Sequence, residues 1–364
     1  MRSKQPAPLC YFPVPHLWPA EMRQKLAPKL ELLQECLLPG DALSVTWDET
    51  LERLYVGSTR GEIYQVDLTE AELKPIPWQA HLSYVSGLAL AGGQLISVGS
   101  DHQMSWWDPA THLRIRRQTH PKWIRQVAVT ASGDRLATVC DDMSARVWDV
   151  KSGDLLHCLL GHAPTTPYDL PSKLYSCAFS PDGTYLATAD QLGYVMVWNV
   201  DDGKRVATLH GANFFTHDTN GHGYGGIRGI AFSPDGAHIA AGGNQAGDTS
   251  QIAGSKSLLH IYDWQQEKRL LELADGGNFF YERVAYHQDQ AWLFAAAGSG
   301  SQQKLVFIDP EQGKMVSTEP SPLLIFDLRL DQACERIVTA GRKGKQGCIA
   351  LWKIAKEERP PAPS

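Results

Sequence analysis

At 364 residues, with 43% hydrophobic residues, 32 glycines and 22 prolines, the chain is long enough to bury a large core and turn-rich enough to be built from many short elements. That balance excludes a disordered chain, and a formal charge of -6 argues against a surface made as a whole for nucleic acid. Seven cysteines form no C-x-x-C pair and cannot all pair with one another, which disfavours a disulfide framework and favours a reducing compartment, the cytoplasm.

Residues 1–28 carry six prolines, and no apolar run here or elsewhere has signal-peptide or membrane-spanning character. A short helix is expected to open at Pro19 in "PAEMRQKLA". The segment reads as a proline-rich strap along the side of the domain, burying Phe12, Leu17 and Trp18, or as a recognition peptide for a partner. Residues 29–38, "KLELLQECLL", form the first strand-like run. Beyond it a repeat organises the chain. "VAVTASGDRLATVCDDMSARVWDVKSGDLLHCLLGH", "CAFSPDGTYLATADQLGYVMVWNVDDGKRVATLHG" and "IAFSPDGAHIAAGG", the last resuming at "SLLHIYDWQQEKRLLELAD", share one order. An alternating apolar run is followed by a tight turn, a second run, a third that closes on an aromatic residue before Asp or Asn, another turn and a fourth run. Period-2 patterning between hairpin turns makes each unit a four-stranded antiparallel meander. The third-run mark falls at Val66, Trp107, Trp148, Trp198, Tyr262, Ile308 and Trp352, which makes seven units.

The repeat length of about 40 to 45 residues and the spacing from G-H to W-D resemble the WD-repeat family of β-propellers, over residues 29–354. The resemblance implies an all-β fold, a seven-bladed β-propeller of four-stranded antiparallel blades, followed by a polar, proline-rich tail at 355–364. A circular array has to close. After Trp352 the chain offers only "KIAKEERPPAPS", too polar for a fourth strand, whereas 29–38 looks like the outer runs "DLLHCLLGH" and "RLLELAD". The N-terminal strand is therefore expected to complete blade seven, removing an open edge. The family's buried tetrad joins a histidine, a Ser/Thr, an aspartate and a tryptophan. The resemblance places it at His81, Ser97, Asp101 and Trp107 in blade two and at His120, Thr138, Asp142 and Trp148 in blade three. These are structural tetrads, in which buried polar groups satisfy one another. Blade four keeps His162, Thr188 and Trp198 but has Leu192 where the aspartate belongs, and the other blades lack most of the set.

In such a propeller the connections between blades, and those between second and third strands, emerge on one face, the top. Segments 163–173, 210–226 and 242–257 are long there, so insertions cluster around blades four and five. The second segment, "HGANFFTHDTNGHGYGG", contains a formal G-x-G-x-x-G at Gly221, Gly223 and Gly226, but it runs into a strand where a dinucleotide fingerprint opens a helix. His217, Asp218 and His222 could converge on a metal, yet polar loop chemistry is the preferred reading, and no metal or cofactor is expected. The two "NFF" stretches, at 213–215 and 278–280, are expected to pack side by side as pins.

No local enzyme signature is present. Aligning the starts of the innermost strands puts Tyr84, Ser86, Trp123, Arg125, Lys173, Tyr175, Arg228, Phe280, Glu282 and Phe326 around the top of the central channel. Aromatic rings and guanidinium groups dominate, the types that concentrate binding energy. Arg60, Lys122, Arg342, Lys343 and Lys345 add a basic arc over blades seven, one, two and three, which an acidic or phosphorylated peptide suits better than nucleic acid. The chain is thus read as a non-catalytic scaffold or adaptor binding a protein or peptide on its top face. Two alternatives stay open: a propeller enzyme or small-ligand binder using His217, Asp218, His222, Arg228 and Glu282, and a structural subunit of a larger complex.

Overall fold

The alternating runs fold into seven antiparallel sheets set around a central axis, in a computed structural model that describes residues 28–217, 223–245, 256–274, 279–299 and 302–355. Blade 1 runs Ala42–Asp48, Arg53–Ser58, Glu62–Asp67 and Ile76–Gln79, and blade 2 runs Val85–Ala91, Gln94–Gly99, Gln103–Trp107 and Arg114–Thr119. Blade 3 is Ile124–Val129, Arg135–Cys140, Ser144–Asp149 and Leu155–Leu160; blade 4 is Leu174–Phe179, Tyr185–Asp190, Tyr194–Asn199 and Arg205–His210. Gly223–Phe232, His238–Gln245, Lys256–Asp263 and Lys268–Leu273 make blade 5, and Tyr281–Tyr286, Leu293–Ser299, Gln302–Asp309 and Lys314–Pro320 make blade 6. Blade 7 takes Leu324–Leu330, Arg336–Lys343 and Gln346–Ala355 from the end of the chain and Lys29–Leu38 from its beginning. That N-terminal strand pairs antiparallel with Gln346–Ala355 from Lys29↔Ala355 to Leu38↔Gly347, the predicted closure. Its register ties the two ends of the array together, so no blade is left with an incomplete sheet.

Both faces of every blade are covered by neighbours, and the core is accordingly a ring of layers between blades. Trp106 packs in the layer between blades 2 and 3 with Ile124, Leu136 and Trp148, while the adjacent Trp107 packs in the layer between blades 1 and 2 with Tyr55, Val85 and Leu88. The closing layer joins Cys36, Leu38, Ile349 and Val338 of blade 7 to Val45, Leu54 and Tyr64 of blade 1. Alternate side chains of one strand therefore serve different layers, which is why these strands alternate in direction without alternating in polarity.

A β-bulge recurs at one place in every inner strand, with register shifts at Ala42/Ser44, Val85/Gly87, Ile124/Gln126, Leu174/Ser176, Ile227/Gly229, Tyr281/Arg283 and Ile325/Asp327. The extra residue of a bulge leaves the ladder and is re-aimed. Here it is Leu43, Ser86, Arg125, Tyr175, Arg228, Glu282 or Phe326, so the sequence alignment of the rim had found the bulge positions of six blades without their cause.

Two expectations are corrected. The 210–226 segment is more than a loop: after a single 3-10 turn at Ala212–Phe214, Phe215–His217 pairs with the start of Gly223–Phe232 and adds a fifth strand to blade 5. The two "NFF" stretches do not pack together, because Phe214 is buried between blades 4 and 5 and Phe279 between blades 5 and 6, a full blade apart. Each is a pin, but for a different layer. The segment 1–27, the helix at Pro19, Asp218, His222, most of 242–257 and the tail after Ala355 lie outside the described residues.

Candidate functional site

The polar sets fall inside the blades. In blade 2 the Trp107 indole N–H donates to Ser97 Oγ (2.8 Å), the Ser97 hydroxyl meets His81 Nε2 (2.7 Å), and His81 Nδ1 meets Asp101 (2.9 Å). The carboxylate fixes the tautomer: Nδ1 carries the proton and Nε2 accepts from the hydroxyl. In blade 3 Trp148 and His120 both reach Thr138, at 3.1 and 3.0 Å, but Asp142 does not complete the tetrad. It is turned to Arg146 (2.6 Å) and Ser144 (2.6 Å), and His120 Nδ1 is buried without a hydrogen-bond partner. Burial, then the Arg146 charge, push the His120 imidazole down to about 4. Blade 4 corrects the sequence reading in the opposite sense. Leu192 occupies the expected aspartate position, yet Asp190 closes the set by meeting His162 Nδ1 at 2.7 Å, with His162 Nε2 on Thr188 (2.8 Å) and Trp198 donating to Thr188 (2.9 Å). The signal was an aspartate at the end of the second strand, two residues earlier than the template expects.

At the top rim a second set converges. Each blade from 2 to 4 presents one residue just ahead of the inner strand and one on its bulge. The first is held by a backbone bond, as the carbonyls of Tyr84, Trp123 and Lys173 accept from Ser100 (3.0 Å), Asp141 (2.9 Å) and Gln191 (2.9 Å). Side chains then stack from blade to blade. The rings of Tyr84 and Trp123 meet edge to face at 5.9 Å, and the Arg125 guanidinium lies 3.5 Å over Trp123 and 5.9 Å from Tyr175. Arg228 covers the Tyr175 ring at 4.0 Å, so aromatic and cation alternate across blades 2, 3, 4 and 5. Tyr175 can lie there because Gly226, at φ +104°, has no Cβ; one would fall 3.0 Å from the ring and 2.7 Å from Gln191 Cα. That is the work of the last glycine in the G-x-G-x-x-G.

Charge at this rim is unequally compensated. Arg125 forms a two-pronged pair with Asp141, at 2.7 and 2.6 Å. Arg228 forms no ion pair among the described residues, and its buried Nε, like the Trp123 indole N–H, has no hydrogen-bond partner. Burial, then repulsion from Arg125 and Arg228, lowers the Lys173 ammonium from its ordinary value. Burial raises the Tyr175 hydroxyl, with the same two arginines pulling the other way. Tyr175 is 9% exposed and Tyr84 is 43% exposed, so the former supports the stack from below and the latter opens to solvent. Glu282 and Phe326 are half-buried on the bulges of blades 6 and 7, and Phe280 is half-buried just ahead of blade 6; none of the three joins the stack.

The basic arc expected over blades seven and one is largely neutralised. Arg60 lies 3.6 Å from Glu62 within its own hairpin, and closure by the N-terminal strand sets Arg342 3.6 Å from Asp41 and Lys343 2.5 Å from Glu35, while Lys122 and Lys345 form no ion pair among the described residues. Of the candidate small-ligand set, Asp218 and His222 lie outside the described residues, and His217 packs at a tilt against Tyr168, with ring centroids 3.9 Å apart.

Three segments of the chain, 113–149, 153–199 and 213–249, match the repeat described as "WD domain, G-beta repeat". The first two matches run from the outer strand of one blade through the first three strands of the next, the same offset that makes Lys29–Leu38 the missing outer strand of blade 7. The chain is a seven-bladed β-propeller that carries WD40 repeats. Similar chains include the apoptotic protease-activating factor 1 of Rattus norvegicus, 28% identical over 49% of this chain and 14% of the relative. The nuclear distribution protein nudF of Emericella nidulans is 25% identical over 54% of this chain and 43% of the relative. The WD repeat and SOCS box-containing protein 1 of Takifugu rubripes is 32% identical over 26% and 21%. The WD40 propeller thus spans less than half the length of each of these relatives. No helix among its described residues is long and apolar enough to cross a membrane, and the six described cysteines are free thiols.

Proposed function

We propose that this WD40 propeller is a non-catalytic binding platform that takes a protein partner on the top rim of blades 2 to 5, through an acidic or phosphorylated peptide segment. One observation carries the reading: the Trp123–Arg125–Tyr175–Arg228 stack ends on a guanidinium with no carboxylate of its own. A guanidinium held flat on a ring keeps its N–H edges available for a carboxylate or phosphoryl group, and the stack has already removed much of its conformational freedom. Lys173 adds a second cation beside it, whereas Arg125 is committed to Asp141. Tyr84 and Trp123 supply apolar area for the residues flanking the acidic group. The Takifugu relative, whose name joins WD repeats to a SOCS box, fits the same picture of a repeat array serving a larger assembly.

The test is a peptide array of random sequence, with and without phosphoserine, screened with the wild-type chain and with Arg228→Ala. Acidic or phosphorylated sequences should be enriched by the wild type, and their affinity should fall about tenfold or more in the variant, the equivalent of one charge-assisted contact. Unfolding should be nearly unchanged, since Arg228 holds no ion pair among the described residues. Enrichment of neutral or basic peptides, or equal binding by Arg228→Ala, would remove this reading.

A further inference from the structure

Beneath the rim the seven inner strands enclose a cavity of about 400 Å³. Small residues make up part of its lining, among them Thr46, Ala89, Ala128, Ala178 and Ala285. Blades 6 and 7 add two arginines, Arg283 and Arg329. Both converge on Asp327, with Arg283 Nε at 2.9 Å and Arg329 Nη1 at 3.1 Å from Oδ1. The carboxylate, 1% exposed, has two further donors: Oδ1 also accepts the Leu328 N–H (3.0 Å) and Oδ2 the Val45 N–H (3.0 Å). Two guanidinium groups thus share one oxygen of a single carboxylate, which leaves one positive charge over.

The donors are in surplus. Arg283 Nη1 turns to the backbone carbonyls of Arg228 (3.3 Å) and Glu282 (2.9 Å), but its Nη2 and the Nε and Nη2 of Arg329 make no hydrogen bond among the described residues. Gln126, on the opposite wall, spends its carbonyl oxygen on the Cys177 N–H (2.8 Å), and its amide NH₂ makes no hydrogen bond among the described residues. A cavity with net positive charge and unmatched N–H groups stabilises an anion that accepts several hydrogen bonds at once, since the same groups gain less from water in a narrow channel. A planar guanidinium fork matches the edge of a tetrahedral oxyanion.

We propose that the channel holds a small multivalent oxyanion of the phosphate or pyrophosphate class, bound by Arg283 and Arg329 with Gln126 opposite. The site is separate from the rim, so it stands or falls independently of the peptide reading.

Isothermal titration of the full chain with inorganic phosphate and with pyrophosphate, in chloride-free buffer, tests it. One saturable site per chain is expected, tighter for pyrophosphate, and weakened about tenfold or more by Arg329→Ala, which removes the surplus cation but leaves the Arg283–Asp327 pair. Trp123→Ala with Arg228→Ala should leave the anion affinity unchanged. Should Arg329→Ala fold poorly, Gln126→Leu provides the second variant, with a smaller loss expected. Absence of saturable binding by the wild type at millimolar anion would overturn the proposal, as would binding that survives Arg329→Ala or is lost instead in the rim variant.

Discussion

Blades 2 and 4 bury the same chain of indole, hydroxyl, imidazole and carboxylate, but they obtain the carboxylate from different places; blade 3 has an aspartate at the template position and does not use it. In blade 2 Asp101 sits in the turn after the second strand, and in blade 4 Asp190 ends that strand. Both leave the imidazole satisfied at both nitrogens. In blade 3 Arg146 outcompetes His120 for Asp142, because a fixed cation gains more from a carboxylate than a neutral ring does. Residue spacing therefore brings groups within reach, and competition among neighbours decides which bonds form.

The contrast can be broken most severely at Asp190. It is fully buried and also accepts the backbone N–H groups of Leu192 and Tyr194, each at 2.9 Å. Asp190→Ala should cost about 3 to 5 kcal/mol in denaturant unfolding, because His162 and two amides lose their acceptor. Next is the pH dependence of blade 3. His120 titrates at about 4 when folded and near its ordinary value of 6.5 when unfolded, so between those values the unfolded chain binds more protons. Stability should consequently fall as pH drops from 6.5 toward 4, with a slope from this group of no more than about 1.4 kcal/mol per pH unit. Urea titrations should show a shallower slope for His120→Gln, and a residual slope from His260, which burial also lowers to about 4.

Asp142→Ala should be milder than Asp190→Ala, at about 1 to 2 kcal/mol, since its bonds go to a partly exposed arginine and a serine. Burial opposes its ionisation but the Arg146 and Ser144 bonds win, holding it at about 2. Its contribution is therefore complete above about 4 and fades as pH falls toward 2. Equal losses for the two aspartates would show that the blade 3 and blade 4 networks are equivalent after all. The smallest effect sharpens the contrast: Arg146→Gln frees Asp142 and removes a repelling charge, so the His120 imidazole should titrate at higher pH by NMR, with little change in stability.

Much of this was legible in the chain itself. The marks at Val66 and Ile308 identified third strands with no tryptophan, because period-2 runs between turns survive the loss of the motif residue. The rim positions were legible too, since each inner strand starts at the same offset from its repeat. Their relationship was not: nothing in "KWIRQ" or "KLYSC" says that Arg125 reaches Tyr175 in the next blade, or that a bulge lifts both residues from the ladder. The basic arc was read incompletely for a related reason. Counting cations along the chain omitted Asp41 and Glu35, which closure brings beside Arg342 and Lys343 from the far end of the sequence.

By itself the sequence determined the repeat, the number of blades and the strand that closes the ring, because hydrophobic periodicity and turn chemistry are local and recur often enough to be counted. Only the tertiary structure decided which aspartate each histidine meets, which cations remain unpaired at the rim, and that Arg283 and Arg329 share one carboxylate in the channel. Those outcomes depend on contacts between blades and on which acceptor lies closest, and both are properties of the closed ring.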